Sequence, residues 1–162
     1  MRPFFRPALL AALLLTPLSG QAQQAQPRRL GDFQSWTAAA IGQGAQKVCY
    51  AFTRAGRQGP MLTVTHRNGS RDEVTIAGGH AYPRNAPDVK VAVGQTSLDF
   101  YTADRTAAAR DGTAAVRAFR NGRDAVAKGP GPHGRGESTE TFPLAGFGAA
   151  YDAISRECPA RR

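Results

Sequence analysis

The clearest feature of the chain is a regular alternation of apolar and polar residues over short segments. In residues 61–66 a leucine and a valine alternate with threonines, and in residues 89–93 three valines alternate with lysine and alanine. Side chains along a β-strand point to opposite faces in turn, so this period of two predicts strands with one buried face. Turn signals follow at Asn68-Gly69 and at Gly94-Gln95, and each pattern therefore predicts a β-hairpin.

Further segments rich in β-forming residues extend this prediction to seven or eight short strands. They lie at residues 33–37, 47–53, 72–77, 97–101, 123–128 and 137–144. Short strands with turn signals at regular spacing are typical of all-β domains rather than of parallel α/β sheets. We therefore expect one mainly β domain, either an immunoglobulin-like β-sandwich or a small barrel.

Two short helices interrupt the strand pattern. Thr113 can cap a helix that presents Val116 and Phe119 on one face. A second helix is predicted near the end of the chain, where an apolar stripe repeats at helical spacing, at Phe147, Ala150, Tyr151, Ile154 and Cys158. Residues 104–112 are rich in alanine and are predicted to be irregular. Prolines and glycines alternate over residues 129–134, which predicts a turn.

The N-terminus indicates an exported protein. Residues 1–22 combine a basic start, an apolar run and small residues near Ala22, as in a secretory signal peptide. Pro17 interrupts the run, which is shorter than the roughly 20 apolar residues that a membrane span needs. We divide the remainder into a disordered leader at 23–32, the domain at 33–158 and a tail at 159–162. The expected location is the periplasm, with secretion or cell-surface association as further options, and without a transmembrane span after cleavage.

Two cysteines in an exported chain of this size predict one disulfide, between Cys49 and Cys158. On the chain-entropy view, closing a loop of about 110 residues stabilises the fold by up to about 4.7 kcal/mol.

Candidate chemistry is sparse. The glycine-rich loop at 130–136 has Glu137 where a phosphate-binding loop would need lysine, and a strand rather than a helix is predicted to follow. His66, His80 and His133 lie in three separate segments, with no spacing that indicates a metal site. No G-x-S-x-G nucleophile motif occurs. The sequence therefore predicts a protein that is not an enzyme and has no cofactor or metal.

Basic residues offer the one candidate binding feature. The formal net charge of +9 becomes +7 once the signal, with Arg2 and Arg6 and no acidic residue, is removed. Spacing alone suggests one basic edge around the first hairpin and the loop before it, with a further candidate in the glycine-rich loop, and the candidates are Arg54, Arg57, Arg67, Arg71 and Arg135. Acidic glycan or anionic lipid would be the ligand, whereas nucleic acid is disfavoured because aromatic residues do not interleave with the basic ones.

The sequence between Phe33 and Cys158 resembles the invasion-associated locus B family of exported bacterial proteins. The resemblance is carried in order by short motifs along the chain, namely Phe33-x-x-Trp36, Lys47-Val48-Cys49-Tyr50, Leu98-x-Phe100, Gly134-Arg135-Gly136-Glu137, Glu140-Thr141-Phe142-Pro143-Leu144, Ala145-Gly146-Phe147 and Cys158. This sequence departs from the family pattern in lacking a tryptophan at residues 107–109, and in having Glu137 and Pro143 where the family has threonine and serine.

The resemblance implies a β-sandwich-like exported protein, associated in some pathogens with entry into host cells, and it supplies no catalytic residues. The function expected first is non-catalytic binding to an envelope or host-surface protein. A binding module for an anionic polymer or lipid surface is the alternative, and a hydrolase is a third hypothesis that would need a concave site with convergent polar groups.

Overall fold

A computed structural model describes residues 26–160. The predicted signal peptide, the first residues of the leader and the last two residues of the tail lie outside this range. Residues 26–160 form ten strands, β1 to β10, with bounds Arg28–Phe33, Trp36–Ile41, Val48–Arg54, Met61–Arg67, Ser70–Ala77, Val89–Val93, Thr96–Ala103, Thr106–Ala109, Asp124–Pro130 and Glu137–Pro143. Helix α1 is Gly112–Asn121 and α2 is Phe147–Glu157, and Gly44–Gln46 and Pro132–Gly134 form single 3-10 turns.

The strands form one antiparallel sheet in the order β1-β2-β3-β4-β5-β8-β7-β6-β9-β10. The sheet folds back on itself, since β10 contacts β3 and the Trp36 Nε1–H on β2 donates to the Pro143 carbonyl oxygen on β10, 2.9 Å away. The mainly β fold with two helices and a Cys49–Cys158 disulfide is therefore confirmed. Within residues 26–160 neither helix is long and apolar enough to cross a membrane.

Both predicted hairpins are present. Strand β4 ends at Arg67 and β5 begins at Ser70, while β6 ends at Val93 and β7 begins at Thr96. Burial alternates along β6 in the way that the valine pattern predicts, because one face of the strand covers the core.

Two strands were not predicted. Residues 28–32 were placed in the disordered leader, but they belong to β1, which pairs with β2. Strand β8 lies in the alanine-rich segment that was predicted to be irregular, and it joins β5 to β7. Alanine has weak β propensity, so the residues of β8 do not predict a strand by themselves, and the strand is defined by its pairing with β5 and β7. The cap of α1 also differs, because Asp111 rather than Thr113 accepts a hydrogen bond from the Ala114 N–H, at 2.9 Å.

Helix α2 lies against β1, β2 and β3 and carries the aromatic centre of the core. The Phe147 ring packs edge-on against Trp36 at 4.9 Å and against Phe119 of α1 at 5.5 Å, measured between ring centroids. Gly146 precedes the helix with φ of +90°, and an added Cβ would lie 1.9 Å from the Phe33 carbonyl oxygen. Only glycine fits this entry, which brings α2 down onto the start of the sheet.

Candidate anion-binding groove

The disulfide joins the end of α2 to the middle of the sheet and organises the polar residues around it. Cys49 lies on β3 directly opposite His66 on β4, and both side chains are fully buried. Cys158 follows the last turn of α2, with its Cα 6.0 Å from that of Cys49. The end of α2 is therefore held beside the turn that connects β4 to β5.

A β-bulge in β5 brings two consecutive residues to the same helix. Thr65 pairs with Glu73 and Arg67 pairs with Ser70, so Arg71 and Asp72 together lie opposite the single residue between the paired positions of β4. Asp72 has φ of +56°. Consecutive residues of a regular strand point to opposite faces, and a bulge removes that restriction.

Arg71 and Asp72 both contact α2. The Arg71 guanidinium donates from Nη1 to the Cys158 carbonyl oxygen at 2.7 Å and from Nη2 to Ser155 Oγ at 3.1 Å. The Tyr151 hydroxyl donates to Asp72 Oδ1 at 2.7 Å. A guanidinium at the C-terminal end of a helix satisfies carbonyl groups that have no partner within the helix and complements the negative end of its dipole.

His66 on β4 is the buried member of this polar cluster. Its Nε2 lies 3.2 Å from Ser155 Oγ, and its Nδ1 lies 3.3 Å from the Asp72 backbone nitrogen. Burial, and then the positive charge of Arg71, hold the pKa of His66 below its ordinary value of 6.5. The imidazole is therefore neutral at pH 7.

The cluster holds the residue types of a serine-nucleophile triad but not its hydrogen bonding. The Asp72 backbone N–H, which can only donate, lies 3.3 Å from His66 Nδ1, and the Arg71 guanidinium, which also can only donate, lies 3.1 Å from His66 Nε2, the nitrogen that faces Ser155 Oγ. In a triad, a carboxylate accepts from the imidazole at one ring nitrogen, and the other nitrogen accepts the serine proton. Asp72 Oδ1 is 3.8 Å from Nδ1, beyond hydrogen-bond distance. The arrangement fastens α2 to the bulge.

An open groove of about 480 Å³ lies beside this cluster. Its walls come from the 3-10 turn after β2, the turn between β4 and β5, and the chain at and after the disulfide, and the charged side chains that line it are Lys47, Arg67, Arg71 and Glu157. Lys47 and Arg28 both form ion pairs with Glu157. These two cations hold the pKa of Glu157 below its ordinary value, with Lys47 the larger contribution.

Positive charge exceeds negative charge at this groove. Arg67 pairs with Glu73 at 2.8 Å, while the hydrogen bonds of Arg71 to Cys158 and Ser155 go to neutral acceptors. Counting Arg28 with the lining residues, four cations face the carboxylates of Glu73 and Glu157 in the described chain. An acidic ligand would therefore meet a site with excess positive charge and donors from several segments.

The structure separates the five arginines that the sequence suggested as anion-binding. Arg67 and Arg71 line the groove. Arg54 and Arg57 lie at the opposite end of β4, about 20 Å away at the usual rise per residue of a strand, and Arg54 Nη1 donates to the Gly59 carbonyl oxygen. Arg135 lies in the turn between β9 and β10. The five arginines therefore do not form one basic edge.

Lys47 and Arg28 were not among the predicted site residues. Lys47 is two residues before Cys49, and Glu157 is one residue before Cys158, so the disulfide itself brings this oppositely charged pair together. The predicted cysteine pairing could have revealed the contact. Nothing in the sequence could have revealed Ser155 beside His66, because the two are 89 residues apart and meet through the bulge.

Within residues 26–160 no group of three or more His, Cys, Asp or Glu side chains is arranged to hold a metal ion. Comparisons with protein-family models, with curated proteins and with solved structures gave no match.

Proposed function

We propose that this chain is an exported binding protein, as its resemblance to the invasion-associated locus B family implies, and that it acts by binding rather than by catalysis. The groove beside the disulfide binds an acidic glycan of the cell envelope or of a host surface. The observation that carries the proposal is the convergence of Lys47, which precedes β3, with Arg67 and Arg71, which flank the turn between β4 and β5, on one groove.

Export is supported by the signal-like residues 1–22 and by the disulfide, because structural disulfides persist in oxidising compartments. The disulfide is also part of the site, since Cys158 lines the groove and its carbonyl oxygen holds Arg71 in place. The bond therefore fixes the end of the chain that forms one wall of the groove.

The shape of the groove favours a polymer chain over a lipid surface. It is concave, and among the described residues none that lines it is an aromatic or large aliphatic residue that could insert among lipid tails. Arginine and lysine side chains around a cleft suit carboxylate or sulfate groups on an extended chain, and guanidinium groups can bind such groups bidentately.

The test uses the oxidised chain without residues 1–22 and immobilised heparin as the acidic glycan. Lys47→Gln with Arg67→Gln removes two groove cations and leaves Arg71, which supports the fold. The matched control, Arg54→Gln with Arg57→Gln, removes the same charge at the other end of β4. We expect the groove variant to bind about tenfold or more weakly at about 150 mM salt, and the control to change less than about twofold.

Two results would contradict the proposal. Equal weakening by both variants would show that net charge alone governs binding. Tight wild-type binding to vesicles of anionic phospholipid, without binding to heparin, would assign the surface to lipid instead. Far-UV circular dichroism of both variants checks that each is folded.

A further inference from the structure

Two of the three lysines in this arginine-rich chain lie directly opposite each other on neighbouring strands. The sequence holds only Lys47, Lys90 and Lys128. Lys90 on β6 pairs with Lys128 on β9, and both side chains are exposed on the same outer face of the sheet. Directly opposed residues of antiparallel strands have Cβ atoms about 5 Å apart, so the two ammonium groups share one small region.

Opposed like charges destabilise a sheet, and within the described chain only one of these two lysines forms an ion pair. Asp99 on β7 pairs with Lys90 from the other side and forms an ion pair with it. Lys128 is opposite Thr139 on β10 and forms no ion pair with any carboxylate of residues 26–160. Across the row from β7 to β10 there are thus two positive charges and one negative charge.

The two lysines lie in a groove of about 630 Å³, within the size range of small-molecule sites. One wall is the segment 83–88, with Arg84, and the other is the glycine-rich segment that begins at Gly129. The walls approach closely, because a Cβ at Gly134 would lie 3.0 Å from the Pro83 side chain. The groove is distant in sequence from the one beside the disulfide and shares no residue with it.

Two acidic residues also line this groove, Asp88 and Glu137. Asp88 is engaged by Arg110, which donates to both of its carboxylate oxygens at 2.6 and 2.9 Å and holds the pKa of Asp88 below its ordinary value. Lys90 contributes to the same lowering, so the charge of Asp88 is balanced mainly by Arg110 outside the groove and in part by Lys90 inside it. Glu137, at the start of β10, is the one lining carboxylate for which the described chain provides no ion pair.

We infer that the groove between Lys90 and Lys128 is a second anion site that takes a phosphate group, either free or on a small ester. A phosphate dianion between the two ammonium groups removes their mutual repulsion, and Arg84 at the rim supplies a further cation. Lysine binds phosphate as a point charge, and the two flexible side chains can close on its oxygens from opposite sides. The site does not depend on the glycan-binding function proposed above.

The small number of lysines allows a direct test. The chain without residues 1–22, labelled with ¹³C at lysine Cε, gives three signals, which single Lys→Gln variants assign. Inorganic phosphate and glycerol phosphate are titrated at pH 7.5 against chloride at matched ionic strength. We expect the Lys90 and Lys128 signals to shift together along one saturating curve with phosphate but not with chloride. Saturation by glycerol phosphate at lower concentration would assign an ester, and saturation by phosphate alone the free ion.

Lys128→Gln should abolish the saturating shift of Lys90, whereas Lys47→Gln, the matched control, should leave both groove signals unchanged. Removal of the opposed charge should also raise the melting temperature of the phosphate-free protein by about 1–3 °C, while Lys47→Gln, which breaks an ion pair, should not raise it. Linear, non-saturating shifts, or identical shifts with chloride, would overturn the assignment. So would a Lys128→Gln variant that keeps the Lys90 response.

Discussion

Reduction of the Cys49–Cys158 disulfide should cost a large part of the stability of this domain. The bond joins residues 109 positions apart, and it fastens the end of α2 to β3. In the chain-entropy account, a cross-link that closes a loop of about 100 residues stabilises the folded state by about 4.7 kcal/mol, because it restricts the unfolded chain. Single domains have free energies of unfolding of only about 5–15 kcal/mol.

The expected effect is large enough to measure by thermal unfolding. An unfolding entropy of about 2.1 cal/mol/K per residue, over about 135 residues, converts 4.7 kcal/mol into a decrease of about 17 °C in melting temperature. The comparison is between the oxidised and the reduced wild-type chain without residues 1–22, followed by far-UV circular dichroism in the presence and absence of a thiol reductant. Comparing the two redox states keeps every side chain in place.

The control is the double variant Cys49→Ala with Cys158→Ala. Its melting temperature should not respond to reductant, and it should lie at or below that of the reduced wild type, because Cys49 is fully buried and its sulfur leaves a small cavity. A decrease of less than about 3 °C on reduction would refute the reasoning, since it would mean that the unfolded chain gains little freedom when the loop is opened.

Three further predictions concern the contacts that close the fold. Burial lowers the pKa of His66 in the folded protein below 6.5, so on acidification the imidazole is protonated first in the unfolded chain. The free energy of unfolding should therefore fall as the pH decreases from about 6.5 towards the folded-state pKa. His66→Asn should flatten this slope in urea titrations. Trp36→Phe leaves the Pro143 carbonyl oxygen without its donor and should cost about 1–3 kcal/mol in the same assay. Gly146→Ala should cost at least about 2 kcal/mol or prevent folding, because its Cβ meets the Phe33 carbonyl oxygen; no loss would contradict the described entry into α2.

The repeating local patterns were sufficient to predict most of the sheet. Period-two alternation and the turn signals at Asn68-Gly69 and Gly94-Gln95 located β4 to β7, and helical spacing from Phe147 located α2. Strands β1 and β8 were missed because their residues carry a weak β signal and their hydrogen bonds are supplied by neighbouring strands. Pairing partners of this kind cannot be deduced from a segment by itself.

The binding groove was less predictable than the fold for a related reason. Arg67 and Arg71 were identified because they flank a recognisable turn, but Arg54 and Arg57, which are close to them in sequence, lie at the other end of a strand. Lys47 reaches the groove through the pairing of β3 with β4, and the disulfide brings Glu157 to it. Such convergence is a property of the folded chain, and spacing along the sequence gives only part of it.

The central claim is that the groove beside the disulfide, and not net charge, binds an acidic glycan. The most direct measurement is the ratio of the heparin dissociation constants of two variants with equal charge, Lys47→Gln/Arg67→Gln and Arg54→Gln/Arg57→Gln, at about 150 mM salt. The account predicts a ratio of about five or more, with the groove variant binding more weakly. A ratio of about one would contradict it.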